Sequence, residues 1–182
     1  MTRTILDLCA GTGAWSKPYE DAGYDVIRVT LPDLDVRTYD PPEDVHGILA
    51  APPCTEFSLA KGIALRDFRV GLEIVDACLR IVRTCQLRSE RLAFWALENP
   101  RAFLRQFLGK PALSLHYWWY GDCFDKPTDL WGYFEPPKRM YRDPPILLQL
   151  MKRCASNWDG KASERRATTP PCFADAFFEA NP

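Results

Sequence analysis

Thr4-Ile5-Leu6-Asp7-Leu8-Cys9-Ala10-Gly11-Thr12-Gly13-Ala14-Trp15-Ser16 reads as an apolar strand that meets an acid, a Gly-x-Gly turn and the start of a helix expected over residues 15–22. Strand, glycine turn and helix in that order form the opening unit of an α/β sheet. Gly11 and Gly13 can take positive φ and let the backbone approach a ligand, although tight turns elsewhere use the same glycines. The pattern repeats downstream. Residues 25–30 and 47–51 read as further strands, and so do residues 93–97. Between the last two, Val70, Ile74, Ala77, Cys78, Ile81 and Val82 fall at helical spacing within residues 67–87. That helix should pack on the sheet, with Cys78 and Cys85 as core residues. Strands alternating with helices predict a mostly parallel, doubly wound α/β sheet. Pro100 should open a short helix to about residue 108. Residues 115–120 and 129–134 should make a final strand pair. A short helix is expected at 146–154, and the tail from Thr168 should form a helix that opens on prolines.

Two strand ends carry chemistry. Pro52-Pro53-Cys54 closes the apolar run His46-Gly47-Ile48-Leu49-Ala50-Ala51 and opens the loop Thr55-Glu56-Phe57-Ser58. Ligands of open α/β sheets bind outside the carboxyl ends of the strands. Two prolines fix their own backbone and restrain the residue before each. The placement suits a thiol nucleophile; it equally suits a small apolar cysteine in a Pro-rich turn. The second end is Leu97-Glu98-Asn99-Pro100, which puts a carboxylate at the same sheet edge if the strands are parallel.

In this order, three segments resemble signatures of the cytosine carbon-5 methyltransferases. Asp7-Leu8-Cys9-Ala10-Gly11-Thr12-Gly13-Ala14 is similar to the family's cofactor loop. Ala51-Pro52-Pro53-Cys54-Thr55-Glu56-Phe57-Ser58 is similar to its nucleophile loop, and Leu97-Glu98-Asn99-Pro100 to its carboxylate segment. Asp67, Gly71 and Leu72 resemble the start of the intervening helix. Amino-methylating relatives carry no cysteine at the equivalent loop. The resemblance covers roughly residues 1–135. It implies a Rossmann-like S-adenosylmethionine-dependent methyltransferase fold, with a catalytic domain over 1–135. Residues 136–182 would be a short, basic, proline-containing extension packed on it.

The resemblance also implies roles. S-adenosylmethionine would be the cofactor, held by Asp7, Cys9, Ala10, Gly11, Gly13, Trp15, Asp33, Asp35 and Pro52. Asp35 resembles the family's acid for the adenine amino group. Cys54 would add as thiolate to ring carbon-6, Glu98 would protonate or hydrogen-bond ring nitrogen 3, and Asn99 would help hold the loop. Pro53, Thr55, Ser58, Lys126, Thr128, Arg165 and Arg166 would face the substrate. On a duplex this chemistry requires flipping the base out of the stack.

The chain departs from the family at four places. Its second strand ends Arg28-Val29-Thr30-Leu31 rather than in an acid for the ribose, which leaves Asp33 to substitute. Thr55 stands where the family has glutamine. The Gln-x-Arg-x-Arg segment after the Tyr-Gly pair is absent, with Lys126 and Thr128 as stand-ins. The large target-recognition region is nearly gone, as in compact forms that resemble those of phage genomes. Strong base-sequence readout is therefore not expected, because readout needs side chains at base edges.

Composition bounds the rest. The 182 residues suffice for one domain with a core. No stretch has the length of a membrane span and no secretory signal opens the chain. Seven cysteines without Cys-x-x-Cys spacing, beside two histidines, predict neither a zinc site nor a disulfide framework, and an odd count fits a reducing cytoplasm. The net charge of −1 is unlike that of a strongly basic nucleic-acid binder. Residues 136–166 nevertheless hold an excess of Lys and Arg, which reads either as a phosphate-contacting stripe or as a solvated face. Expected partners are nucleic acid, DNA first, and a second copy of the chain or a separate recognition subunit that supplies the missing surface. RNA, a free pyrimidine nucleotide, or a non-catalytic binding role remain open as alternatives.

Overall fold

The computed structural model describes residues 2–88, 91–122, 126–143 and 168–182. In chain order the elements are β1 (Thr4–Leu8), α1 (Lys17–Asp21), β2 (Asp25–Val29), β3 (Gly47–Ala50), α2 (Phe68–Arg88), β4 (Phe94–Pro100), α3 (Arg105–Leu108), β5 (Leu113–His116), β6 (Pro127–Tyr133) and α4 (Pro171–Ala180). Short 3₁₀ turns span Leu59–Lys61 and Tyr117–Tyr120. The strands form one sheet of order β2-β1-β3-β4-β6-β5. The first four are mutually parallel, and β6 runs antiparallel to both β4 and β5. The sheet is the Rossmann-like α/β arrangement that the sequence predicts.

Side-chain alternation sorts the core into two layers. Leu6, Leu8, Ile48, Ala50 and Leu97 face α2, whose Val75, Cys78, Ile81, Val82 and Cys85 are buried against them. Ile5, Leu49, Phe94 and Ala96 face the other way, toward Trp15, Tyr19, Phe173 and Phe177. Strands covered on both faces read as continuous apolar runs, which is why β1 and β3 stand out in the sequence. α4 therefore helps to close this face together with Trp15, α1 and the turn at 117–120, and Phe173 and Phe177 are fully buried there.

Several boundaries differ from the sequence reading. The first helix starts at Lys17, not Trp15, because Trp15 turns inward as a core residue. Pro100 ends β4 instead of starting a helix, and it pairs with Thr128 of β6. Residues 117–120 leave the sheet as a 3₁₀ turn that packs Tyr117 and Tyr120 on Phe173. Val70 is 49% exposed, because the buried stripe of α2 runs from Gly71 rather than from Val70. The helix expected at 146–154 lies outside the described residues. No described helix is long and apolar enough to cross a membrane.

Candidate functional site

The turn after β1 is built by local rules. Cys9, Gly11 and Gly13 all have positive φ (58°, 54° and 72°). The Gly13 amide donates to the Ala10 carbonyl at 2.8 Å, and the Cys9 amide to the Val29 carbonyl at 2.8 Å. A Cβ on Gly11 would meet nothing within 4 Å, so that side of the turn is open. Gly13 faces inward, where a Cβ would strike the Arg28 guanidinium. Arg28 is fixed by a two-pronged bond to Glu20, with Nη1 to Oε1 at 3.1 Å and Nη2 to Oε2 at 3.0 Å. Asp7, 1% exposed at the root of the turn, has its pKa pushed up to about 6. Burial raises it, and Ser16 and Arg28 oppose the rise only in part. Its Oδ2 has no hydrogen-bond partner.

The loop after β3 is held at both ends. The Phe57 and Ser58 amides donate to the Cys54 carbonyl at 3.0 and 2.7 Å. Phe57 is buried against α2, and only a glycine at 71 lets it in, since a Cβ there would lie 2.8 Å from the Phe57 ring. Farther on, the Arg66 guanidinium donates to the carbonyls of Glu56, Ser58 and Gly62. It also lies 4.6 Å above the Phe103 ring. Glu56 pairs with Lys61 and accepts from the Asp67 amide, and the Lys61 ammonium holds its carboxyl below the usual range. Asn99 of β4 donates from Nδ2 to the Pro52 carbonyl at 3.1 Å, which ties the second strand end to this loop.

Glu98 follows the β3–β4 register, in which Ala50 pairs with Leu97. Parity turns it to the α4 side of the sheet. There Tyr117 Oη donates to Glu98 Oε1 at 3.1 Å, and Lys126 Nζ donates to the same oxygen at 3.3 Å. The Lys126 ammonium also lies 5.7 Å from the Tyr117 ring centroid. Tyr117 is fully buried, and burial ahead of the Glu98 charge raises its pKa strongly. Nothing in the local sequence of Tyr117 signals this role, because β5 and β4 meet only through β6.

A cavity of about 730 Å³ opens along the carboxyl ends of the parallel strands. Its wall includes Asp7, Cys9, Ala10, Gly11, Trp15, Asp35, Pro53, Cys54, Thr55, Ser58 and Lys126, all singled out from sequence. Other expected residues lie off the wall. Asp33 does, and Thr30 and Leu31 at the end of β2 line the cavity in its place. Gly13 faces Arg28, and Pro52 and Asn99 are bonded to each other. Thr128 is fully buried, with its hydroxyl donating to the Lys126 carbonyl at 3.0 Å. Glu98 sits behind the wall, 6% exposed. Arg165 and Arg166 lie outside the described residues. Asp35 is on the wall but engaged, since it accepts from the Arg37 amide at 3.0 Å, from Nε at 2.9 Å and from Nη2 at 2.6 Å. Those bonds hold its carboxyl below the usual range. Arg37, Lys61 and Thr169 also line the cavity, and sequence reasoning did not single them out. Of the basic stripe, Lys138, Arg139 and Arg142 are described and exposed; the Arg139 guanidinium lies 4.0 Å over the Trp119 ring.

No protein-family model matches this chain, and no curated protein does. Among solved structures, it is similar to the crystal structure of a DNMT2 mutant from Spodoptera frugiperda at 18% identity and a TM-score of 0.46. The match covers 79% of this chain and 54% of that one, so this chain spans about half the length of the structure it matches.

Proposed function

We propose that this chain transfers a methyl group to carbon-5 of cytosine in DNA, with S-adenosylmethionine as the donor and Cys54 as the covalent nucleophile. What most supports the reading is one shared edge. Cys54 follows β3, Glu98 lies near the carboxyl end of the adjacent parallel strand β4, and Cys54 lines the same cavity as the glycine turn after β1. A cavity of about 730 Å³ is in the range that holds a small-molecule ligand. The open side of Gly11 admits close backbone approach by such a ligand. These residues therefore fit a nucleoside-sized cofactor. When bound, S-adenosylmethionine supplies an electrophilic methyl group on a sulfonium. Ala10, Gly11 and Thr12 would cradle it, and Asp35 with Arg37 would border the cavity beyond β2.

The chain's own residues would then do the following. Cytosine carbon-5 is too weak a nucleophile to take a methyl group unaided. The Cys54 thiolate adds to carbon-6, forming an S–C bond while the C5=C6 pair shifts toward C4 and the C4=N3 pair settles on nitrogen 3. The Glu98–Lys126 pair meets the charge that gathers there. Carbon-5, now enamine-like, takes the methyl group. Loss of its proton to solvent and expulsion of the thiolate restore the aromatic ring and the enzyme. Asn99 keeps the nucleophile loop in register by holding the Pro52 carbonyl.

The test is transfer from isotopically labelled S-adenosylmethionine to duplex DNA, single-stranded DNA, RNA and free nucleotides, with nucleosides resolved by mass spectrometry. Label in 5-methyldeoxycytidine is the expected result. Label only in RNA or free nucleotides would move the substrate, and no label anywhere from cofactor-binding protein would end the enzymatic reading.

A further inference from the structure

Resting on the reading above, a sharper assignment follows from how the Glu98 carboxylate is buried. A carboxylate that is to touch a substrate ring must reach the cavity. Glu98 does not line it, and its side chain is 8% exposed. Lys126 does line it, with its side chain 16% exposed and its ammonium on Glu98 Oε1. The same oxygen also takes the Tyr117 hydroxyl. One carboxylate oxygen thus receives two donors, and one of them belongs to a residue that lines the cavity.

We propose that Lys126 is the group presented to the substrate ring, and that Glu98, fixed by Tyr117, is a positioning carboxylate behind it. An ammonium has donors only, so it selects a ring edge made of acceptors. Cytosine offers O2 and N3 as adjacent acceptors on one edge. Uracil and thymine carry N3–H there, which an ammonium repels. Lys126 is therefore a specificity residue for cytosine as well as the proton source for the addition step. As the Cys54–C6 bond forms and the electron pair reaches N3, Lys126 Nζ gives N3 a proton and becomes a neutral amine. When the thiolate leaves, N3 returns that proton to the amine, and the cycle balances with no further reactant. Tyr117 acts on the substrate through Glu98, keeping Oε1 where it can hold the ammonium.

The experiment measures covalent adduct formation on DNA that contains 5-fluorocytosine, with S-adenosylmethionine present, in wild type, Lys126→Ala and Lys126→Arg. Fluorine at carbon-5 blocks the elimination and preserves the adduct. A positioned proton donor contributes roughly 10²–10⁴-fold, so Lys126→Ala should form adduct at least about 100-fold more slowly. Its cofactor affinity should stay within about twofold, because general acid–base groups act on the transition state. Added ethylammonium should restore part of the rate in Lys126→Ala and none in Lys126→Arg, a readout that a merely structural lysine would not give. Adduct formation in Lys126→Ala as fast as wild type, or faster because the path to Glu98 has opened, overturns the assignment. If wild type itself forms no adduct, the methyltransfer reading fails, and Lys126 is then read by binding alone. Oligonucleotides with a single unpaired cytosine should bind better than the same strands with uracil, and Lys126→Ala should erase the difference. No cytosine preference in wild type overturns the assignment on its own.

Discussion

Asp7→Asn should stabilise the protein at neutral pH while damaging its site. Asp7 is buried at the root of the turn, and its pKa stands at about 6 against an ordinary 3.8. A carboxyl with a raised folded-state pKa favours folding below its unfolded pKa, and that advantage fades as pH rises through the folded value. Between about pH 4 and 6 the folded chain holds a proton that the unfolded chain has lost. Two pKa units at about 1.4 kcal/mol each give a cost of ionised Asp7 near 3 kcal/mol at pH 7.5. Asparagine has the same shape and does not ionise. Urea unfolding of wild type and Asp7→Asn should therefore agree within about 1 kcal/mol at pH 4 and part by about 3 kcal/mol at pH 7.5, the variant being the more stable. For a chain of this length that is a melting difference of about 6–12 °C. Parallel pH curves for the two proteins would refute the reasoning. Asp7 also lines the cavity. A cationic cofactor would favour the ionised form, so its affinity for wild type should weaken below about pH 6, and the variant should bind it poorly with little pH dependence.

Three further outcomes follow from named contacts. Gly71→Ala adds a methyl group 2.8 Å from the Phe57 ring; overpacking of about 1–3 kcal/mol should outweigh a helix gain of about 1 kcal/mol, and adduct formation at Cys54 should slow because Phe57 and Cys54 share a turn. Unchanged adduct kinetics with a raised melting temperature would show that this contact does not place the thiol. Asn99→Ala strips the donor from the buried Pro52 carbonyl and should cost about 1–3 kcal/mol in urea unfolding, with slower adduct formation. Asp122→Ala removes the acceptor of the Cys172 and Phe173 amides, which cap α4 from outside its own segment; thermal unfolding should report a loss of about 0.5–2 kcal/mol with little change in adduct kinetics.

The parallel half of the sheet was legible because it obeys local rules. β1 and β3 are short and mostly apolar, and each gives way to residues with distinctive backbone preferences, the permissive glycines at 11 and 13 or the restrained prolines at 52 and 53. Residues 117–120 misled because a run of Tyr and Trp suits a strand. They coil instead, since a 3₁₀ turn directs Tyr117, Trp118 and Tyr120 inward together, where alternation would have exposed one of them. In the cavity wall, Cys54 and the glycine turn could be read from order along the chain. Thr169 could not, because it reaches the wall only through the return of α4. The Tyr117–Glu98–Lys126 cluster was half legible. Lys126 stood out as a cation near the missing arginine segment, but its place in front of Glu98 depends on the β4–β6 pairing. Asp33 was the reverse case: the right residue type in the right stretch, yet exposed and off the cavity wall, while its neighbours Thr30, Leu31, Leu34 and Asp35 line it.

The order of synthesis gives the last helix a further consequence. Trp15 borders the cavity and rests on Phe173 and Phe177, which are made more than 150 residues later. Until those residues emerge from the ribosome, the glycine turn lacks this backing and the aromatic face of the sheet lies bare. The turn is therefore fully backed only once residue 177 has folded onto the sheet, and a product cut short before residue 171 would leave that aromatic face exposed and prone to aggregate.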